Sequence, residues 1–329
     1  HVVNIINAED IIDQYGYGTK GHSLAIQNFI REAGNSIEGL EYVFMFGKGL
    51  DYASYRKDPA FELPTWGYPG SDNLLISYPG KISPQFKVGR LAVRSQESAL
   101  QYLEKVKDHE DISEFGQTVE ERAWMKKIIH LSGGSQNESE TILNFLNQMG
   151  GIIENSQFGA DVHTYQKTSS DDIQTATSDV IKQDINDGAA LITFFGHSST
   201  GTFDFSIEEP SEYENKGKLP VILSLGCHSG DIFSHSFGLS EKFVTEPEVG
   251  SIAFLAASGN AQLIAQAVLG LEFYRNLGDN FYSEVLGTHT KLIVEYLEDG
   301  FINDFNFLTL MEQFTVHGDP AIDMLSFEG

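Results

Sequence analysis

Short apolar runs alternate with stretches of helical periodicity along nearly the whole chain. Runs typical of buried strands cover residues 42–46, 88–93, 128–131, 191–196, 219–225 and 250–256. Stretches with helical spacing of apolar residues cover 23–31, 97–109, 138–149, 171–187, 261–277 and 279–298. Because strands alternate with helices, the pattern predicts an α/β fold built on a mostly parallel sheet.

The first third of the chain carries further local predictions. The run at 2–6, which is rich in valine and isoleucine, predicts a first strand. Ser95 is placed to cap the helix that follows it. In that helix Leu100, Leu103 and Val106 are spaced to share one face, which we expect to be the buried one.

Two stretches organise the chain on a larger scale. Residues 51–87 are rich in Pro, Tyr and Gly and predict a long irregular surface excursion. The charged, weakly patterned stretch at 109–122 predicts a linker between two α/β units. We therefore expect one unit over residues 1–117 and a second over residues 118–329.

Composition narrows the class of protein. Among 329 residues, 41% are hydrophobic, which supports a substantial core. The 47 acidic and 21 basic residues give a formal charge of -26, which disfavours binding to nucleic acid. No apolar run approaches the length of a membrane span, and we expect no signal peptide within this sequence, where a removed one would leave no trace. Since the chain starts at His1, we expect it to be a mature or excised piece of a longer protein.

The most informative residues directly follow two of the apolar runs. The run at 191–196 leads to His197, and the run at 219–226 leads to Cys227, the only cysteine. Ligands bind beyond the carboxyl ends of parallel strands, so we expect both side chains at one edge of the sheet. A thiolate attacks a carbonyl carbon, and a neighbouring imidazole can protonate the leaving amine. The pair therefore predicts catalysis with Cys227 as nucleophile and His197 as general acid and base.

Small residues flank the two candidates. Gly196 and Gly226 permit tight turns that aim backbone N–H groups at a tetrahedral oxyanion. Ser198 and Ser229 leave little bulk around the reacting centre. The competing interpretation is a structural histidine and a buried thiol, and the agreement of two strand ends favours catalysis.

The stretch 196–200 also resembles the nucleophile elbow of lipases and esterases, with Ser198 as nucleophile. Thr200 replaces the last glycine of that motif, and residues 201–205 do not look helical. This interpretation also leaves Cys227 without a role, so we rank it below the thiol mechanism.

Three other signals are weaker. Gly47-Lys48-Gly49 faintly suggests a phosphate loop but lacks the rest of the Walker pattern, so a turn is favoured. Cys227, His228 and His235 match no common zinc spacing. The stretch at 317–320 predicts a turn.

Taken together, the motifs resemble the gingipain family of caspase-like cysteine peptidases. The motifs that carry this resemblance are Gly196-His197, Cys227-His228-Ser229-Gly230-Asp231, and the stretches 42–47, 88–91 and 317–320. The resemblance implies a caspase-like three-layer α/β/α fold with mostly parallel sheets in two subdomains. Residues 1–117 would be the N-terminal gingipain-like subdomain, lacking its first βα unit, and residues 118–329 the catalytic subdomain.

The resemblance also implies roles at the site. Cys227 would be the nucleophile, His197 the acid and base, and the backbone N–H groups of Ser198 and Cys227 the oxyanion hole, with His228 and Ser229 beside them. No cofactor would be required for catalysis, and structural Ca²⁺ is an expectation that the acidic composition supports. The substrate would be a peptide or a protein.

Residues 196–199 and 202–205 look closer to the sortase-like members of type IX secretion systems than to secreted gingipains. The family resemblance implies export in a Bacteroidota-type bacterium, to the periplasm, the outer-membrane surface or the medium, and an immunoglobulin-like domain beside the peptidase. Other type IX secretion components would be partners.

Two departures limit what the resemblance implies. Ser198 stands where the group usually has glycine, although its N–H is retained. Residues 132–134 stand where an orienting glutamate is expected, and only Glu138 is nearby, so neither arginine specificity nor a third catalytic acid follows. Three functions remain open: a peptidase or sortase-like transpeptidase, an inactive module of a secretion or surface complex, and a serine esterase using Ser198.

Overall fold

The computed structural model describes residues 2–19, 21–51, 54, 57, 63–114, 118–171, 179–205, 207–280 and 285–324. Its strands are β1 (Tyr42–Phe46), β2 (Gly49–Leu50), β3 (Leu63–Pro64), β4 (Lys87–Leu91), β5 (Lys127–Ser132), β6 (Asp161–Gln166), β7 (Leu191–Phe195), β8 (Val221–Leu225), β9 (Ala253–Ala257) and β10 (Phe314–His317). Its α-helices are α1 (Ala8–Tyr15), α2 (Leu24–Ser36), α3 (Asp72–Ile76), α4 (Gln96–Glu114), α5 (Val119–Arg122), α6 (Ser139–Glu154), α7 (Asp179–Asn186), α8 (Leu239–Thr245), α9 (Leu263–Asn280), α10 (Leu286–Phe301) and α11 (Phe305–Gln313).

A mixed sheet forms the centre of the molecule. Within the described residues it has eight strands in the order β1-β4-β10-β9-β8-β7-β5-β6. All neighbours are parallel except the antiparallel pair of β9 and β10. Strands β7, β8 and β9 are buried along their whole length, as expected for parallel strands covered on both faces. The predicted α/β fold with a mostly parallel sheet is confirmed.

Strand pairing and a buried ion pair join the part of the chain that precedes residue 118 to the part that follows it. Strand β10 pairs with β4 through His317 and Arg90, which makes one continuous sheet. Lys48 donates to the Glu241 carboxylate at 2.6 Å, and both side chains are almost fully buried. Lys48 is therefore an interior ion-pair partner and not part of a phosphate site. The division into subdomains at residue 117 stays a prediction.

The predicted first strand at 2–6 is wrong. These residues lie outside regular secondary structure, with Val2 93% and Ile5 96% exposed. A β-strand needs a neighbour for its backbone hydrogen bonds, and no described residue pairs with this run.

Helix α4 turns a different face to the core than its apolar spacing predicts. Ser95 caps the helix as expected, since its Oγ accepts from the Ser98 N–H at 3.1 Å. Of the predicted face, Val106 is buried, but Leu100 and Leu103 are exposed, and Lys105 is buried in addition. The Lys105 ammonium donates to four carbonyl oxygens around the end of α8, at 2.8–3.3 Å, those of Phe243, Val244, Glu246 and Val249. Four carbonyl acceptors thus stabilise a lysine in the interior. Hydrophobic periodicity, which considers apolar side chains, does not predict its burial.

The linker predicted at 109–122 is wrong for residues 109–114, which continue α4. His109 is buried, and its Nε2 lies 3.0 Å from the Asp323 carbonyl oxygen. Residues 115–117 lie outside the described residues, as does the 172–178 part of the helix predicted at 171–187, of which α7 is the described portion.

His317 also differs from its prediction, because it ends β10 instead of opening a turn. Its Nε2 accepts from the Ala92 N–H at 3.1 Å, and burial lowers the pKa of His317 to about 3. The turn begins at Gly318, whose φ of 135° is accessible mainly to glycine. Of the predicted irregular stretch 51–87, the described residues include α3 and part of β4.

Candidate active site

Three neighbouring parallel strands end at the same edge of the sheet and lead to the candidate residues. Phe195 of β7 pairs with Leu225 of β8 on one side and with Ser132 of β5 on the other. His197 and Cys227 each lie two residues beyond this paired level. The structure therefore brings the two predicted residues to adjacent strand ends, as their apolar runs indicate.

A carboxylate from the third strand end contacts the histidine. Nε2 of His197 lies 2.8 Å from Oε2 of Glu138, which immediately precedes α6. The same oxygen accepts from the backbone N–H of Ser135 at 3.3 Å and from the Ser135 hydroxyl. The Ser135 hydroxyl and the His197 ring hold the pKa of Glu138 below its usual value. This geometry suits a carboxylate that orients an imidazole.

Sequence reasoning named Glu138 only as the nearest acid. It missed the pairing because His197 is 59 residues further along the chain. The sequence signal for this turn is Ser135, three residues before Glu138. A serine at this spacing from a glutamate is typical of a turn at the start of a helix.

The cysteine lies against the loop that follows β9. Sγ of Cys227 is 3.4 Å from both the backbone nitrogen and the carbonyl oxygen of Ala261. The next residue, His228, donates its backbone N–H to the Gly259 carbonyl at 2.9 Å, and its Nε2 lies 3.0 Å from Oδ1 of Asn260. His228 has a φ of 58°, a strained value for a non-glycine residue that these contacts maintain.

Ser198 links the histidine loop to the cysteine loop. Its hydroxyl donates to the Cys227 carbonyl at 2.7 Å. A Cβ on Gly226 would lie 2.2 Å from Oγ of Ser198, so glycine is required for this approach. Residues 198–203 form a tight antiparallel turn, closed by the Ser199 N–H to Thr202 carbonyl bond of 2.9 Å. The serine elbow would need a helix there instead.

Two backbone amides face no acceptor at this edge. Neither the Ser198 N–H nor the Cys227 N–H has a hydrogen-bond acceptor among the described residues. Ser229, predicted to lie beside the site, has a buried hydroxyl that hydrogen-bonds to the Ser224 hydroxyl at 2.7 Å. The amides are thus available for a ligand, whereas the Ser229 side chain serves the interior.

A buried aspartate supports the loops from beneath. Asp204 is 4% exposed and accepts from the Gly134 N–H at 2.7 Å, and the Lys167 ammonium lies 3.6 Å from the same carboxylate oxygen. Burial raises the pKa of Asp204. A Cβ on Gly133 would lie 2.2 Å and one on Gly196 2.7 Å from its Oδ1, which explains both glycines. Asp204 was not predicted, because its segment has no apolar periodicity.

Within the part of the chain that the structure describes, no three His, Cys, Asp or Glu side chains are grouped to hold a metal ion. This includes the cluster considered at Cys227, His228 and His235. The Ca²⁺ expectation gains no ligands there and stays a prediction. No helix of the described residues is long and apolar enough to cross a membrane.

Comparison with known proteins identifies the family. The family model for peptidase family C25 matches residues 1–325. The chain belongs to peptidase family C25. This is the gingipain family that the sequence motifs resemble, and that prediction is confirmed. No curated protein sequence matches the chain.

Solved gingipain structures share the fold. The complex of Porphyromonas gingivalis RgpB pro- and mature domains has a TM-score of 0.74 at 17% identity, covering 96% of this chain and 76% of that one. The Arg-specific cysteine proteinase gingipain R (RgpB) has a TM-score of 0.73 at 16% identity, covering 95% and 74%. A third structure, described as a protease, has a TM-score of 0.71 at 12% identity, covering 92% and 70%. At these identities the likeness establishes the fold alone.

Proposed function

We propose that this C25 family member is a cysteine peptidase, with Cys227 as nucleophile and His197 as general acid and base. The observation that carries the proposal is the convergence of three adjacent strand ends, which supply Cys227, His197 and Glu138 at one edge. A nucleophile, a base and an orienting acid in that order are what acyl transfer requires.

In the proposed reaction the Cys227 thiolate attacks the carbonyl carbon of a peptide bond and forms a C–S bond. The amide C–N bond then breaks, and the leaving amine takes its proton from His197. His197 next removes a proton from water, which attacks the thioester and releases the acid and the thiol. Glu138 accepts a hydrogen bond from the His197 ring and favours its protonated form during the first step.

The free amides support the same proposal. The tetrahedral intermediate carries negative charge on the former carbonyl oxygen, and backbone N–H groups stabilise it without reorganisation. The N–H groups of Ser198 and Cys227 have no acceptor among the described residues, so we assign the oxyanion hole to them. Ser198 itself is a poor candidate nucleophile, because its hydroxyl donates to the Cys227 carbonyl.

The loop beside the histidine bears on the substrate. Between β5 and α6 the side chains at 135–137 are neutral, and the one carboxylate, Glu138, contacts His197. We therefore do not extend to this chain the arginine specificity named for gingipain R. A sortase-like transpeptidase remains our alternative, because an amine in place of water would resolve the same thioester. Export and type IX secretion partners remain proposals from the motif resemblance.

The deciding experiment is covalent labelling of the folded chain with a peptidyl acyloxymethyl ketone, followed by mass spectrometry of the labelled peptide. We expect one adduct, on Cys227, and none in Cys227→Ala.

His197→Ala should lower kcat/KM by about 10²–10⁴-fold on any peptide that the protein cleaves. Ser199→Ala, an exposed hydroxyl in the same loop, is the control. A folded protein that neither labels nor cleaves would support the inactive-module alternative.

An amine acceptor separates the two peptidase-type reactions. With a substrate that is cleaved, an added glycine peptide should leave hydrolysis as the main product if the protein is a peptidase. A ligated product in place of the free acid would identify a transpeptidase.

A further inference from the structure

The sulfur of the proposed nucleophile contacts both a hydrogen-bond donor and a hydrogen-bond acceptor of one residue, Ala261. The Ala261 N–H and the Ala261 carbonyl oxygen are each 3.4 Å from Sγ of Cys227. A thiol donates its proton to the carbonyl, and a thiolate accepts from the N–H. Whatever alters the Ala261 carbonyl therefore changes the balance between the inert and the reactive form of the sulfur.

A buried glutamine contacts that carbonyl from the other side. Gln266 lies in the first turn of α9 and is 4% exposed. Its Nε2 donates to the Ala261 carbonyl oxygen at 3.0 Å. Its Oε1 has no partner among the described residues, and rotating the amide would place this oxygen against the carbonyl oxygen. The Ala261 carbonyl thus determines the orientation of the side chain.

We propose that Gln266 is a positioning residue that favours the reactive anionic form of Cys227 by acting through Ala261. The N–H that Gln266 donates draws electron density from the Ala261 carbonyl oxygen and weakens that oxygen as an acceptor for the thiol proton. The same hydrogen bond fixes the peptide so that the Ala261 N–H stays within reach of the sulfur. The use of this effect in peptide cleavage rests on the proposed function, whereas the effect on the sulfur does not.

The start of α9 adds to the effect. The helix begins at Leu263, two residues after Ala261, and runs for 18 residues to Asn280. The unpaired N–H groups at a helix start carry partial positive charge, which favours a nearby anion. Gln266 ties the residue that contacts the sulfur to this first turn.

The test compares two buried glutamines. Gln266→Met removes the amide donor but keeps the side-chain size. Gln27→Met removes an equivalent bond, from Nε2 of Gln27 to the Leu74 carbonyl at 3.0 Å, on a different helix, α2. Both variants of the full chain are treated with iodoacetamide, in which the sulfur displaces iodide, and the rate of Cys227 modification is followed by mass.

We expect Gln266→Met to slow alkylation about fivefold at pH 7, the size expected for one lost hydrogen bond. Gln27→Met should stay within about twofold of the unchanged chain while losing a similar amount of thermal stability. Gln266→Leu, which also removes the donor and adds no charge, should slow alkylation by a similar factor. It also serves if the methionine variant does not fold.

Equal alkylation rates in the Gln266 and Gln27 variants would overturn the inference. Iodoacetamide needs no peptide-binding site, so the result is independent of peptidase activity. Slowed alkylation in a chain that cleaves no peptide would refute the proposed function alone. Where peptides are cleaved, a positioning role predicts that Gln266→Met lowers kcat and leaves KM unchanged. An unchanged kcat would also contradict the inference.

Discussion

Two ion pairs of similar length lie in opposite surroundings. His197 and Glu138 approach to 2.8 Å at the candidate active site, with side chains 61% and 37% exposed. Lys48 and Glu241 approach to 2.6 Å in the interior, with side chains 0% and 1% exposed. Distance alone would rank the pairs as equivalents, whereas their surroundings give them different roles.

The pKa directions follow from that difference. Glu138 remains near water, and hydrogen bonds from Ser135 and His197 lower its pKa. Burial raises the pKa of Glu241 even though Lys48 opposes the shift, and burial lowers the pKa of Lys48. The exposed pair remains accessible from solvent, which suits a role in chemistry. The buried pair is costly to disrupt and is suited to joining the segment between β1 and β2 to helix α8.

The largest effect should come from breaking the buried pair. Lys48→Met leaves the Glu241 carboxylate buried without its cation, and we expect a loss of about 3–5 kcal/mol in the free energy of unfolding. Urea unfolding followed by circular dichroism measures it.

The matched control is Lys216→Met, since Lys216 pairs with Glu248 at the surface, where the side chains are 57% and 64% exposed. That variant should leave the free energy of unfolding nearly unchanged, because both side chains are exposed to solvent. The double variant Lys48→Met with Glu241→Leu should recover most of the stability. Similar losses in both single variants would show that burial does not distinguish these pairs.

The next effect should be on activity. Glu138→Gln removes the charge that orients His197, and we expect kcat/KM on a cleaved peptide to fall about tenfold, with a change in stability within about 0.5 kcal/mol. Glu140→Gln, an exposed acid in the first turn of the same helix, is the control. If the two variants retain equal activity, Glu138 does not orient the base.

The two pairs also differ in how far sequence predicts them. The sequence identifies His197 and Cys227 because each follows a mostly apolar run, and strand register then places both at one edge. Glu138 was not assigned, since its approach to His197 depends on the turn that Ser135 closes. Lys48 looked like part of a turn, because nothing near it in sequence indicates Glu241, which is 193 residues away.

The same reasoning explains the errors in the fold. Hydrophobic periodicity indicates the burial of apolar side chains, so it chose Leu100 and Leu103 over Lys105, which is buried by virtue of its carbonyl acceptors. The run at 2–6 has the composition of a strand, but strand formation depends on a partner elsewhere in the molecule. Sequence patterns therefore predict features that depend on neighbouring residues in the chain. They miss features that depend on contacts with residues distant in sequence.

The smallest effect should be the pH dependence of the exposed pair. The folded-state pKa of Glu138 lies below that of the unfolded chain, so its contribution to stability is fully present above the unfolded pKa, about 4.3. That contribution is lost as the pH falls through the lower folded pKa. For Glu241 the sign is opposite, because its raised pKa means that the folded chain takes up the proton first.

Urea unfolding of the unchanged chain and of Glu138→Gln between pH 7 and pH 3 measures the effect. We expect a difference of at most about 0.5 kcal/mol at pH 7, because the pair is exposed, and a decline towards zero at the acid end. Added salt should reduce the difference at pH 7, since solvent ions screen exposed charges. A difference that grows as the pH falls would mean that the Glu138 carboxylate is disfavoured in the folded chain. In that case the exposed pair would resemble the buried pair, and the contrast drawn between them would fail.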